Sequence, residues 1–212
     1  MANITKEVWS IIESDLAIEK NLSQELINTR ALARYLTDKY SLKASLDSVI
    51  SAIRRFETKT KFIEVEKKLH NLFKDAIIKS RNNVACITIA HNSHNPLEII
   101  KSIKKAEHMR IAVGNASSRL MVDEGKLKET TSHIPSNLIE KIEHDLSELS
   151  VTIDEKAIKT KGVLARIANE ISLANINIEE IVISPPEFLI YVKQEHILKT
   201  YESVLKLRNK EF

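Results

Sequence analysis

The chain has 212 residues, of which 43% are hydrophobic and 29% charged, and both values are ordinary for a globular protein. Three glycines, one cysteine (Cys86) and the lack of any apolar stretch of about 20 residues exclude glycine-rich phosphate loops, intrachain disulfides and membrane-spanning helices. The N-terminus, MANITKEVWSIIESD, is acidic and interrupted, so we do not expect a secretory signal. We also find no nucleophile elbow. These features predict a cytoplasmic protein that is not an enzyme and carries no cofactor.

Positive charge is concentrated in the N-terminal part of the chain. The formal net charge is +3 at pH 7. Residues 30–61 alone contain eight basic and three acidic side chains, which is a surplus of five. A local basic surplus raises the affinity for phosphate groups, but a solvated helical surface gives the same pattern. Both interpretations stay open on composition alone.

The first segment, residues 1–82, has the apolar spacing of a helical module. Asn28 or Thr29 and Ser45 are candidate N-caps, because their side-chain oxygens can accept free backbone N–H groups at a helix start. The stretch KTKFIEV, residues 59–65, favours a short wing-like strand. Apolar residues at intervals of three and four predict helices over 8–16, 22–26, 30–39, 46–56 and 65–79.

Two short helices joined by a turn, with basic residues on the second helix, are typical of a helix-turn-helix. In that interpretation Arg54 and Arg55 contact DNA phosphates, and Ser48 and Ser51 approach base edges. The alternative is a small helical bundle that docks on a partner enzyme or seals a homodimer. The residues alone do not decide between the two.

From residue 83 onward strands alternate with helices. The run VACITIA, residues 84–90, has the β-branched composition of a buried strand, and Pro96 suits the first position of a following helix. The second segment then predicts strands over 109–113, 119–122 and 126–131 and a helix over 137–146. The third segment predicts strands over 149–153, 176–183 and 188–192 and helices over 162–173 and 196–207.

Both later segments run in the order strand, helix, two or more strands, helix, which indicates an internal duplication. This order is typical of a ferredoxin-like layer, in which helices cover one face of an antiparallel sheet. The predicted fold class is therefore α+β. It comprises a helical, helix-turn-helix-like module at 1–82 and two ferredoxin-like βαββα(β) modules at 83–149 and 150–212.

The stretch KGVLARIANEISLANINI, residues 161–178, resembles the ACT domain family, and most closely the C-terminal regulatory region of aspartate kinases. Gly162 and Val163 open an apolar helix, and a short turn leads into a strand that bears Asn177. The FLIYVK stretch and a final helix follow in the order of the family. The resemblance implies two ACT-type modules that pair with each other, bind an amino-acid effector and have no catalytic activity.

The resemblance also implies where an effector binds, which is near the loop after the first strand and the start of the second strand. A glycine permits close backbone approach, N–H groups at a helix start can hold a carboxylate, and asparagine offers a donor and an acceptor. Many family members have Asp and Pro before the glycine, whereas this sequence has Thr160 and Lys161, and the lysine favours an anion. The implied ligand residues are Lys161, Gly162, Val163, Leu164, Asn175, Asn177 and Ile178. The corresponding loop of the second segment adds His91, Asn92 and Asn95 as secondary ligand candidates.

The sequence thus predicts a ligand-responsive regulator, an amino-acid-sensing ACT-type protein that forms a homodimer and can bind DNA through its N-terminal module. The alternative is a regulatory or scaffold protein that binds a partner enzyme or homodimerises without binding DNA. No membrane partner is expected. No metal site is expected either, because Cys86, His91 and His94 lack a Cys-x-x-Cys anchor.

Overall fold

The computed structural model describes residues 4–56, 59–91 and 109–209. Within these ranges the protein combines eight α-helices with one six-stranded antiparallel sheet. The chain divides into two units, and the boundary between Lys68 and Leu69 falls inside a helix. The N-terminal helices are α1 (Ile4–Ser14), α2 (Leu16–Ser23), α3 (Thr29–Tyr40), α4 (Leu46–Arg54) and α5 (Lys59–Lys74), of which α5 crosses the boundary.

Three polar side chains set the starts of the N-terminal helices. Asn28 Oδ1 accepts the N–H of Arg30 at 2.9 Å and begins α3, and Ser45 begins α4, so both predicted caps are confirmed. Asp15 was expected inside the first helix but lies outside it, because its carboxylate accepts the N–H of Ala17 at 3.0 Å and caps α2. The predicted short helix over 22–26 is also wrong. Because Asp15 caps α2, this helix starts at Leu16 and ends at Ser23.

The first unit has its own core, in which α4 packs against both α1 and α3. Val8, Leu36 and Val49 are fully buried there, and Trp9 Nε1 donates to the carbonyl oxygen of Ala52 at 2.9 Å. The order α3, connection, α4 agrees with the predicted pair of helices. Its interpretation as a helix-turn-helix stays a prediction.

The predicted wing-like strand over 59–65 is wrong, because these residues lie in α5. A single helix of 16 residues pairs its own backbone groups, whereas a lone strand would leave them unpaired. The C-terminal half of α5 has the predicted inward face, with Leu69 and Phe73 buried. The helix ends at Lys74, earlier than the predicted residue 79, because the first strand of the sheet begins at Ile77.

The second unit is built on a sheet with the spatial order β2-β3-β1-β4-β6-β5, in which every neighbouring pair is antiparallel. The strands are β1 (Ile77–Ala90), β2 (Arg110–Val113), β3 (Ser117–Asp123), β4 (Ile139–Thr152), β5 (Glu180–Ser184) and β6 (Glu187–Lys193). The helices are α6 (Leu127–Ser132), α7 (Val163–Leu173) and α8 (Ile197–Asn209). The helix predicted to start at Pro96 lies outside the described residues.

The two central strands, β1 and β4, share their length and an internal irregularity. Each has 14 residues, and the seventh residue of each, Asn83 or Asp145, has a positive φ of 57° or 56°. Val84 pairs with Leu146 at the centre, and the register shifts on both sides of this pair. A bulge of this kind bends and twists a strand. The described part of the second unit therefore repeats one arrangement, with the hairpins β2–β3 and β5–β6 at opposite edges.

The sheet is strongly curled. Arg119 on β3 approaches Glu180 on β5, with 3.0 Å between Nε and Oε2, although β1, β4 and β6 lie between these strands. Four strand spacings in a flat sheet would separate them by about 19 Å. Arg119 also donates to Glu143 on β4 at 2.9 Å. The faces of the two edge hairpins are therefore turned towards each other.

Curling gives the sheet two buried faces. On the convex face, side chains of β4 and β6 pack against α5, α7 and α8 in the largest core, and β1 and β3 contribute a smaller one. On the concave face, apolar side chains from both halves meet in a third cluster. Its members are Val84, Cys86, Met121, Leu146, Leu189 and Tyr191, and all are less than 2% exposed.

A group of hydrogen-bonded polar side chains surrounds the Tyr191 hydroxyl at the concave cluster. The Tyr191 hydroxyl donates to Glu148 Oε2 at 2.5 Å, and Arg81 donates to the same oxygen at 3.1 Å. Burial and the bond to Glu148 raise the pKa of Tyr191 far above its usual value, so the phenol stays neutral and donates. Arg81 on β1, Glu148 on β4 and Tyr191 on β6 are thus joined in one hydrogen-bonded group across three neighbouring strands.

Two predicted elements are wrong because strand and helix patterns overlap. Residues 126–131 form a 3₁₀ turn followed by α6 instead of a strand, and Asp123 caps this turn through the N–H of Gly125 at 2.9 Å. Residues 137–146 form the end of a 3₁₀ turn (Ser136–Leu138) and the start of β4 instead of an α-helix. Leu138 and Ile142 are four residues apart, and this spacing puts two residues on one face of either element.

We expect Tyr191→Phe to lower the free energy of unfolding by about 1–3 kcal/mol, because it leaves a buried carboxylate short of one donor. Urea denaturation at neutral pH measures the change. Tyr201→Phe is the matched control, since Tyr201 is half-buried against the convex core. Equal stability of the two variants would contradict the role given to the Tyr191 hydroxyl.

A second expectation concerns pH. The hydrogen bond from Lys141, with the nearby charge of Arg119, lowers the pKa of Glu143 below its usual value. A depressed folded-state pKa contributes stability above the unfolded-state value of about 4.3, and this is lost as the pH falls through the folded-state value. Glu143→Gln should therefore be less stable than the parent at pH 7, and urea denaturation should show the difference shrinking towards pH 3. A difference independent of pH would refute this.

Candidate functional site

A cavity of about 240 Å³ lies at the N-terminal end of α7. We call it the α7 cavity. Its floor is the start of the helix, and its opposite wall is the turn of the β5–β6 hairpin. The lining residues are Thr160, Gly162, Val163, Leu164, Ile183, Pro185, Pro186 and Phe188.

The helix start in this cavity leaves backbone donors without a side-chain cap. Gly162 is the N-cap residue of α7, and a glycine has no side-chain oxygen to offer. Its φ of +90° lies in the region that favours glycine, which explains the Gly at this position. The N–H groups of Val163 and Leu164 belong to this uncapped first turn. They can donate to an anion, and the helix dipole favours negative charge there.

The remaining wall of the cavity is apolar. Leu164 is 37% exposed and Ile183 is 44% exposed, whereas Phe188 is buried. Thr160 supplies a hydroxyl, which donates to the carbonyl oxygen of Lys156 at 3.0 Å. No acidic side chain lines the cavity among the residues that the structure describes. The arrangement suits a small ligand with one carboxylate and an apolar tail.

The structure brings together some of the residues that the sequence singled out here. Gly162, Val163 and Leu164 line the α7 cavity, and Lys161 is exposed beside them. The four residues on the hairpin wall were missed, although the Pro-Pro pair between two predicted strands was a signal for a turn at this place. Those wall residues are Ile183, Pro185, Pro186 and Phe188.

The asparagine-bearing segment after α7 lies away from the cavity lining. Asn175, at the C-terminal end of α7, has a φ of 57° and is exposed. Asn177 Nδ2 donates to Glu179 Oε1 at 3.2 Å, and Ile178 packs against the convex core. Their predicted role as ligand residues stays a prediction.

The secondary ligand loop is described only at its first residue. His91 Nε2 lies 2.7 Å from Ser118 Oγ, and its backbone N–H donates to the carbonyl oxygen of Ala116 at 3.1 Å. These bonds fasten the end of β1 to the β2–β3 hairpin. Asn92 and Asn95 lie outside the described residues.

Cys86 is a buried member of the concave cluster. Burial raises the pKa of its thiol, and the neighbouring Arg119 only partly opposes this effect. The thiol is therefore protonated at neutral pH and packs as a small apolar group. Among residues 4–56, 59–91 and 109–209, no three His, Cys, Asp or Glu side chains converge in a way that could hold a metal ion.

A wider groove of about 780 Å³ lies where the two central strands bend, at Asn82 and Asp145, beside the start of α8. Lys193 contributes a positive charge to it, and Asp145 and Glu195 contribute negative charges. The side chain of Gln194 is hydrogen-bonded within the protein, because its Oε1 accepts the N–H of Asn83 at 3.1 Å. The mixed charges of this groove select no ligand class.

The predicted DNA-binding residues differ in whether their side chains are exposed or already hydrogen-bonded within the protein. Ser51 and Arg54 are exposed on α4. Ser48 shares a hydrogen bond with Ser45, at 2.8 Å between the hydroxyl oxygens. Arg55 donates to the hydroxyl of Thr5 at 3.1 Å and reaches back to the carbonyl oxygen of Ser51. The surface of α4 that these residues offer to DNA is therefore narrow and consists of Ser51 and Arg54.

No protein-family model and no curated protein matches the sequence. The fold is similar to solved aspartate kinase structures. The regulatory subunit of aspartate kinase from Thermus flavus is 14% identical with a TM-score of 0.53, over 61% of this chain and 95% of that chain. Aspartate kinase from Clostridium acetobutylicum is 20% identical with a TM-score of 0.52, over 62% of this chain. Aspartate kinase from Synechocystis is 16% identical with a TM-score of 0.53, over 64% of this chain.

The share of each chain that is matched, together with the sequence identity, determines what can be concluded from the comparison. The match spans 34% of the Clostridium kinase chain and 27% of the Synechocystis kinase chain, but nearly all of the Thermus regulatory subunit. At such identities the likeness shows the fold alone. It confirms the coarser prediction, a mixed helical and antiparallel-sheet protein that is similar in fold, over 61–64% of its length, to the regulatory domains of aspartate kinases.

No helix within the described ranges is both long enough and apolar enough to span a bilayer.

The backbone at the two ends of α7 gives a matched pair of substitutions. We expect Gly162→Ala to lower the free energy of unfolding by about 1–2 kcal/mol, because an L-residue is strained at a φ of +90°. Asn175→Gly should instead be neutral or slightly stabilising, since glycine relieves the strain at a φ of 57°. Thermal unfolding of both variants measures this, and an unaffected Gly162→Ala variant would contradict it.

Proposed function

We propose that this protein is a non-enzymatic, ligand-responsive regulator whose ACT-type unit binds a small amino acid in the α7 cavity. The observation that carries the proposal is the uncapped start of α7 facing an apolar hairpin wall across about 240 Å³. The fold likeness supports it, since the matched structures include a kinase regulatory subunit and a kinase described as an allosteric enzyme.

The lining of the cavity narrows the class of effector. The ligand carboxylate accepts the first-turn N–H groups of α7, and an apolar side chain contacts Leu164, Ile183 and Phe188. The volume is below the range of about 300–1,000 Å³ that is usual for drug-sized ligands, so the effector is a small metabolite. An amino acid with an aliphatic side chain meets both requirements. Lys161, exposed beside the cavity, stays a proposed contact for the carboxylate, whereas the predicted role of Asn177, beyond the other end of α7, is not part of this proposal.

Effector binding has a physical route to the other half of the sheet. Ile183 on β5 lines the cavity, and Glu180 on the same strand approaches Arg119 on β3 at 3.0 Å. A shift of β5 on binding therefore acts on a charge contact between the two edge hairpins. This is the step by which occupancy would change how the second unit pairs with itself or with another copy.

The helical unit is the proposed output module. Exposed Ser51 and Arg54 on α4 support DNA binding, which is the first candidate for the output. The second candidate is docking on a partner enzyme, or homodimerisation, through the same unit without DNA. A DNA-binding assay of the full chain, with and without the effector, separates the two.

The direct test is a thermal-shift screen of the full chain against the twenty amino acids. A ligand that binds only the folded state at 100 times its Kd stabilises that state by about 2.7 kcal/mol. For a chain of this size that corresponds to a rise in Tm of about 5–10 °C. We expect a selective rise with one or a few aliphatic amino acids.

Two substitutions on the same helix locate the site. Leu164→Trp fills the cavity mouth and should abolish the shift, whereas Leu173→Trp, at the far and 79% exposed end of α7, should leave it intact. A shift that persists in Leu164→Trp would place the effector elsewhere. No shift with any amino acid in the parent would overturn the proposal.

A further inference from the structure

A single polar side chain is found among the described residues that line the α7 cavity. Seven of the eight lining residues are glycine, proline or carry hydrocarbon side chains, and the eighth is Thr160. Thr160 is half-buried and lies just before the start of α7. Its hydroxyl is therefore the one side-chain hydrogen-bonding group that this described lining offers to a bound molecule.

A hydrogen bond within the protein determines which role this hydroxyl can play. A threonine hydroxyl has one hydrogen to donate and two lone pairs that accept. Thr160 Oγ1 donates to the carbonyl oxygen of Lys156 at 3.0 Å, and a carbonyl oxygen can only accept. The one hydrogen is thus used, and Thr160 Oγ1 is left with acceptor capacity alone.

The polar groups on the helix side of the cavity have the opposite character. The N–H groups of Val163 and Leu164, in the uncapped first turn of α7, can only donate. The ammonium group of Lys161, exposed beside them, is also a donor. The cavity therefore combines several donors with one acceptor at Thr160. A carboxylate matches the donors, and a group that carries a hydrogen on the neighbouring carbon matches the acceptor.

We propose that Thr160 determines the specificity of the α7 cavity, because its Oγ1 accepts a hydrogen bond from the donor group on the α-carbon of a bound carboxylic acid. This rests on the proposed function and defines its ligand class as acids whose α-carbon carries an amino or a hydroxyl group.

The 2-oxo acid of the same carbon skeleton is the analogue that this arrangement excludes. It presents a carbonyl oxygen at the α-carbon, and two facing acceptors share no hydrogen. Thr160 can donate to that oxygen only by giving up its bond to the carbonyl oxygen of Lys156. In either case one polar group at the cavity is left without a partner, and this lowers affinity.

The test is isothermal titration calorimetry of the full chain with L-valine and L-leucine, each compared with the 2-hydroxy acid and the 2-oxo acid of the same skeleton. We expect the 2-oxo acids to bind at least about 10-fold more weakly than the amino acids, as is common when one hydrogen bond to a charged group is lost. The ratio of the two Kd values is the readout, because a general loss of stability would weaken both ligands alike.

Three variants locate the origin of this ratio. Thr160→Val removes the hydroxyl at nearly constant shape and should abolish most of the difference between amino acid and 2-oxo acid, whereas Thr160→Ser should keep it. Thr131→Val is the matched control. Thr131 Oγ1 makes the same kind of bond, to the carbonyl oxygen of Lys128 at 3.2 Å, but lies on α6 and outside the cavity lining. This control should bind all three classes of acid as the parent does.

The outcomes separate this inference from the proposed function. A ratio that persists in Thr160→Val, or a parent that binds 2-oxo acids as tightly as amino acids, would overturn the role of Thr160 and leave amino-acid binding intact. A parent that binds 2-hydroxy acids but no amino acid would support the role of Thr160 and contradict the amino-acid effector. If no acid of any class binds, both fail.

Discussion

The contact between Arg119 and Glu180 shows the constraint on which the second unit depends, a six-stranded sheet curled until its edge hairpins meet. The bend is built into β1 and β4, where Asn83 and Asp145 have left-handed backbone conformations on either side of the central pair. Because both central strands bend at equivalent places, the two halves close on each other. A flat sheet would expose the concave apolar cluster, and curling buries the side chains of the two halves of the sheet against each other.

The buried charges of the curled sheet determine the alignment of its strands more than they contribute to its stability. Arg119 reaches Glu143 and Glu180, and Arg81 shares Glu148 with a tyrosine hydroxyl. Desolvation of such pairs offsets much of their attraction, so they are weak sources of net stability. An unpaired carboxylate at the same place would be costly, however, and every slipped strand register would create one. The apolar cluster therefore drives closure, and the charges select one alignment of the strands.

Sequence reasoning succeeded where one local signal determines one local structure. Asn28 and Ser45 were found as caps because a side-chain oxygen before a periodic apolar run has one common role. It failed at residues 137–146, where spacing by four occurs in both helices and strands, and at 59–65, where β-branched content outweighed the backbone continuity of α5. The start of α7 could be anticipated from Gly162, but the hairpin wall opposite could not. That wall depends on which strand pairs with β6, and pairing is a long-range property that no short window of sequence carries.

Long-range strand pairing also connects the features on which the proposed function depends. The α7 cavity and the concave charge contact share one strand, since β5 carries Ile183 at one end and Glu180 at the other. A strand of five residues in a ladder with β6 moves as one piece, because displacing one end breaks the hydrogen bonds of the other. Under the proposed function, a ligand bound against Ile183 that displaced β5 would therefore also displace Glu180 relative to Arg119. Because that contact joins the two halves of the sheet, the proposed effect of cavity occupancy would reach β3 through the pairing of Arg119 with Glu180.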